Sequence, residues 1–141
     1  MRGLTMLRIV LGVLAGAVVA VALVAGLEML GHLLFPPPPG LDASDPEQLG
    51  AMMAQVPLPA KIWVVAAWTL ATTGGGVAAA LISRRGWAAW VIAALVAAAA
   101  VATLFMIPHP LWMQIGAVAG PLAGGWVAGV VVKMWKPAAA V

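Results

Sequence analysis

Four apolar runs, separated only by short polar or proline-bearing stretches, constrain this chain more than any other feature. They extend from about Leu4 to Phe35, Ile62 to Ile82, Trp87 to Ile107 and Leu111 to Val132. A helix needs roughly 20 apolar residues to cross about 30 Å of hydrocarbon. The last three runs fit that length, and the first exceeds it by about ten residues. Backbone groups in lipid must be satisfied within the segment, so helices are expected. Alanine-rich stretches such as Ala97–Ala100 favour the same form. Composition excludes a soluble fold: 65% of residues are apolar and 8% charged, whereas soluble domains carry roughly 25% charged residues. The expected fold is all-α, an integral membrane four-helix bundle forming one transmembrane domain over residues 1–141.

Charge sets the direction of threading. Arg2 and Arg8 precede the first run, Arg84 and Arg85 separate the second from the third, and Lys133 and Lys136 follow the fourth. Four crossings place all six on one face, the cytoplasmic one by the positive-inside rule, so both termini are expected inside. Lys61 alone falls on the other side, with Asp42, Asp45 and Glu47. Trp63 and Trp112 mark the outer interface, and Trp87, Trp90 and Trp135 the inner one. A cleaved signal peptide ending near Ala20-Val21-Ala22 is the competing reading of the N-terminus. The apolar run, however, continues past it to Phe35, much longer than a signal h-region. The net charge of +3 is not gathered into a basic stripe, so no nucleic-acid partner is expected. With no cysteine there is no disulfide, thiolate metal site or thiol chemistry.

The loop from Pro36 to Ala60 is the one sizeable water-exposed segment. Pro36–Pro39 ends the first helix and predicts a stiff polyproline II stub. Asp45 is then a candidate N-cap, Pro46 suits the first helical position, and Gln48 completes a capping box. Leu49, Met52, Met53 and Val56 follow at helical spacing, so the pattern predicts a short amphipathic surface helix stopped by Pro57. It either covers the bundle or acts as a lid over an outer cavity.

Glycines punctuate the spans. Gly12 and Gly16 share a face of the first; Gly116, Gly120 and Gly124 form a stripe on the fourth, overlapped by Gly125 and Gly129. Such stripes let helix backbones approach closely, within one chain or across a homodimer seam. Gly74, Gly75 and Gly76 loosen the second span, and Pro121 predicts a kink in the fourth. Gly74-Gly75-Gly76-Val77-Ala78 echoes Gly124-Gly125-Trp126-Val127-Ala128, which points to two helical hairpins repeated in parallel.

Glu28 is the one acid inside an apolar run, and His32 lies one turn further on the same face. Counted from Arg8, Glu28 is about 30 Å up, near the outer boundary. Lys61 at the start of the second span and His109 in the Pro108-His109-Pro110 turn reach the same level. Glu28, His32, Lys61 and His109 therefore form a candidate polar or titrating cluster. It has three readings: structural charge pairing, a proton-coupled or cation-binding site at Glu28, or a metal site of Glu28, His32 and His109. Thr69, Thr72, Thr73 and Gln114 add polar groups, and threonines commonly bond to their own helix. No catalytic triad, phosphate loop or paired catalytic carboxylates occur in the spans. The leading expectation is a non-enzymatic membrane component without a cofactor, packing with itself or in a larger membrane complex. A small proton-coupled carrier using Glu28 is the alternative, and a metal-dependent membrane enzyme stands third.

The Glu28-x-x-x-His32 end of the first span, Pro36–Pro39, the Gly-Gly-x-Val-Ala patches and Pro108-His109-Pro110-Leu111-Trp112 carry a resemblance. Together they resemble the small four-span bacterial inner-membrane proteins grouped as uncharacterised. That resemblance spans all but the third run and the C-terminal tail, and implies a location but no activity. The architecture is also similar to that of small multidrug-resistance transporters, with four helices, a lone Glu in the first and a glycine-rich fourth. The 25-residue outer loop and the shallow position of Glu28 depart from a midplane proton site.

Overall fold

Prolines delimit the helices. In the computed structural model, which describes residues 2–37, 39–40 and 44–135, five helices account for most of the described residues. Helix α1 (Arg2–Leu34) stops just before Pro36, its last turn closed by the Phe35 amide donating to the Gly31 carbonyl at 2.8 Å. Pro36 and Pro37 leave in irregular backbone, while Pro38, Asp42 and Lys136 lie outside the described residues. Helix α2 (Pro46–Gln55) starts at Asp45, whose Oδ1 accepts from the Glu47 amide at 3.0 Å. Gln48 Nε2 donates to Asp45 Oδ2 at 2.9 Å, so this cap gathers two donors on one carboxylate. Helices α3 (Leu58–Ser83), α4 (Ala88–Met106) and α5 (Leu111–Trp135) follow through short turns.

Helices α1, α3, α4 and α5 are each long and apolar enough to cross a membrane. The protein is therefore an all-α polytopic membrane protein: a bundle of four spans with one short helix, α2, at one end. Helix α3 starts four residues before the apolar run at Ile62, because Pro59 falls in its first turn, where no amide is missed. Neither the Gly74–Gly76 triplet nor Pro121 interrupts its helix. The threonines spend their hydroxyls locally: Thr69, Thr72 and Thr73 donate to carbonyls four residues back at 2.8–3.0 Å.

The glycines explain how the spans fit. α1 and α3 are antiparallel, with Gly12 against Ser83, Gly16 against Ala79 and Ala20 against Gly75. α5 runs parallel to α3, with Gly116 against Val65, Gly120 against Thr69, and Gly124 against Thr72 and Thr73. A Cβ on Gly16 would lie 2.6 Å from the Gly75 carbonyl oxygen, and one on Gly124 2.5 Å from that of Thr69. Gly74 faces the Leu23 side chain. Every glycine of the predicted stripes except Gly129 is thus taken up by contacts within the chain. Between them the core is mostly alanine, with Ile92, Met113, Thr72 and Pro121 the largest fully buried side chains. This places α3 at the centre, packed on α1, α4 and α5.

The two ends differ. Arg8, the α3–α4 turn with Arg84 and Arg85, and Lys133 lie at one, together with exposed Trp87, Trp90 and Trp135. Arg84 holds this turn in the left-handed conformation (φ 56°), and Ser83 Oγ caps it by accepting from the Arg85 amide at 3.2 Å. Helix α2, Lys61 and the α4–α5 turn lie at the other end.

Candidate functional site

A cavity of about 350 Å³ lies beneath α2, among the ends of α1, α3, α4 and α5. Glu28, His32, Lys61 and His109 all line it. The register of α1 on α3, in which Gly12 faces Ser83 and Gly16 faces Ala79, sets Glu28 opposite Ala67 and Lys61 opposite Leu34. Lys61 therefore stands six residues nearer the α2 end than Glu28, about 9 Å at 1.5 Å per residue. Glu28 is the deeper charge and Lys61 the one nearer α2.

The four side chains share a cavity without forming a cluster. Among the described residues Glu28 takes part in no hydrogen bond or ion pair, with Lys61, His32 or His109 or with any other group. Among the described residues no buried side-chain nitrogen or oxygen lacks a partner, so the Glu28 carboxylate, which has none there, is not sealed away from the cavity it lines. Among the described residues the expected charge pairing at Glu28 is not made, and the register sets Lys61 about 9 Å nearer α2. The His109 ring is committed elsewhere: its Nδ1 lies 2.6 Å from the Ile107 carbonyl oxygen, to which it donates, leaving Nε2 free of that contact. The His109 carbonyl in turn accepts from Gln114 Nε2 at 2.9 Å, which stiffens the α4–α5 turn. His32 is exposed. Among the described residues no three His, Cys, Asp or Glu side chains gather closely enough to hold a metal, so Glu28, His32 and His109 do not form a ligand set.

Sequence reasoning missed the aromatic lining. Phe35, Trp63 and Trp68 face the cavity alongside Met52, Met53 and Met113. Trp63 is fixed by its indole N–H, which donates to the Leu27 carbonyl at 2.7 Å. Gly31 makes this possible, since a Cβ there would stand 2.7 Å from the indole ring. Trp68, buried against Ala100 and Ala117, is the deepest of the three. One signal was available: Trp68 lies too far along its span to belong to an interfacial belt. Helix α2 contributes Met52, Met53 and Val56, the apolar face expected of an amphipathic helix, so it roofs the cavity. Its Gly50 lies over Pro108 of the α4–α5 turn.

Glu28 also lines a second hollow of about 280 Å³, a groove between α1 and α4 that is otherwise apolar. No protein-family model, curated protein or solved structure matches this chain.

Proposed function

We propose that this is a non-enzymatic, multi-pass protein of a bacterial inner membrane, with both termini cytoplasmic, whose outward-facing cavity binds an organic ammonium ion. The observation that carries the reading is that Glu28, without a partner among the described residues, lines a cavity walled by Phe35, Trp63 and Trp68. A carboxylate supplies net charge, and aromatic faces attract a weakly hydrated cation through their quadrupoles, best of all for quaternary ammonium. Methionines add polarizable, adaptable walls. A volume of about 350 Å³ falls in the range of small-molecule sites. An inorganic cation would want several oxygen ligands, and among the described residues only one carboxylate lines the cavity. A small proton-coupled carrier using Glu28 is a second reading, favoured by the same open carboxylate. Membership of a larger membrane complex is compatible with either; the packed glycines supply no seam for it.

The test is equilibrium binding of radiolabelled tetramethylammonium to the protein in lipid nanodiscs. Saturable binding at one site is expected, weakened in Glu28→Gln and strengthened about 2- to 3-fold in Lys61→Gln, which removes a partly screened like charge from the lining. Loss of binding in Lys61→Gln with retention in Glu28→Gln would mean that the cavity takes an anion.

The orientation has its own check, since the chain contains no native cysteine. Cysteines at Gln55 in α2 and at Gly86 in the α3–α4 turn, both exposed, sit at opposite ends. An impermeant maleimide applied to sealed cells is expected to label the first at once and the second only after permeabilisation; the reverse order would invert the threading.

A further inference from the structure

We infer that the ligand is a single-chain amphiphile with a cationic head, drawn sideways from the outer leaflet through the groove between α1 and α4. This rests on the proposed ammonium site and extends it to the rest of the molecule. Glu28 lines both hollows, so cavity and groove adjoin at this residue. From Glu28 the groove runs down α1 to Ala17, with Ile92 and Ala99 of α4 across from it. Eleven residues separate Ala17 from Glu28, about 16 Å of helix, which is roughly the depth of one leaflet.

The groove exists because of what the sequence puts there. α1 spends its small residues Gly12, Gly16 and Ala20 on α3, and it touches α4 far less closely than α3. Alanines on both walls leave a gap where larger side chains would have met. It opens sideways, since Val21, Ala25, Leu95 and Ala99 are exposed along its length. Water gains nothing in such a gap, which offers no hydrogen-bonding group below Glu28. A hydrocarbon chain fits both its apolarity and its length. Among the described residues the only charged group lining it is the carboxylate of Glu28, so complementarity selects a cationic head over a phosphate-bearing one. The head then lies among Phe35, Trp63 and Trp68, and the tail points toward the membrane centre.

The experiment compares tetramethylammonium, dodecyltrimethylammonium with a diazirine at the tail end, and dodecyl sulfate with the same diazirine, on the protein in phosphatidylcholine nanodiscs. The ammonium amphiphile is expected to crosslink within the α1–α4 groove, located by mass spectrometry, and to displace tetramethylammonium at least ~10-fold more tightly after correction for partitioning. Filling the groove in the double variant Ala25→Leu, Ala99→Phe should remove that gain and the crosslink while leaving tetramethylammonium binding unchanged. Both positions are exposed within the groove, so the larger side chains occupy it without entering the buried core. If the two ammonium ions bind equally, or the groove-filled variant keeps the gain, the tail is not seated there and the inference fails while the ammonium site stands. Equal groove labelling by dodecyl sulfate would overturn the selection for a cation. Failure of tetramethylammonium itself to bind would instead remove the underlying site.

Discussion

Gly16→Leu is expected to prevent the protein from being recovered as a monodisperse species in mild detergent, and Gly16→Ala to destabilise it by about 1–3 kcal/mol. The reason is the seam between α1 and α3. A Cβ at position 16 would stand 2.6 Å from both the Gly75 carbonyl oxygen and the Ala79 Cβ, and one of these is backbone that no rotamer change can move. The helices must then separate, and in lipid nothing replaces the lost van der Waals contact and close carbonyl approach, because the tails are as apolar as the interface. The opposing term is the helix propensity gained on leaving glycine, at most about 1 kcal/mol. Gly129→Ala isolates that term. Nothing lies within 4 Å of a Cβ there, so it is expected to be neutral or to stabilise by up to about 1 kcal/mol. Denaturation in mixed micelles measures both. If Gly16→Ala is as harmless as Gly129→Ala, the seam is not packed as described.

Glu28→Gln is expected to weaken tetramethylammonium binding by ~10- to 100-fold while leaving stability unchanged. Tetramethylammonium has no N–H to donate, so the contact is one of opposite charges, and in a partly desolvated site this contributes about 1.5–3 kcal/mol after screening, which is the stated range in affinity. Glutamine keeps the shape and the cavity and removes only the charge. Stability is the discriminating readout. Were Glu28 one half of a structural ion pair, neutralising it would strand the other charge and lower the melting temperature; it has no such partner among the described residues. Unchanged binding together with lowered stability would return Glu28 to a structural role.

Much of this arrangement is legible in the sequence because membranes impose simple rules. Run lengths locate the spans, and prolines at 36, 57, 108 and 110 locate the turns. Counting residues along each span at 1.5 Å per residue brings Glu28, His32, Lys61 and His109 to one end, where all four line the cavity. Other features depend on which helices become neighbours, which periodicity does not encode when nearly every face is apolar. The indole of Trp63 reaches the Leu27 carbonyl because Gly31 clears its path, a contact between residues 36 apart in the chain. The groove between α1 and α4 is invisible in sequence for a plainer reason: its walls include Ala17, Ala20, Ala25 and Ala99, indistinguishable from the alanines that fill the core. The Pro57-Leu58-Pro59 segment reads as loop, although both prolines sit where a helix start tolerates them.

The most direct measurement is made in the cavity itself. His32 is exposed in its lining, so His32→Cys places a reporter one turn from Glu28 without touching it. In sealed cells an impermeant thiol reagent is expected to modify this cysteine from outside, and dodecyltrimethylammonium to slow the modification several-fold. Modification only after permeabilisation, or at a rate that the ammonium ion leaves unaltered, would contradict an outward-facing cation site.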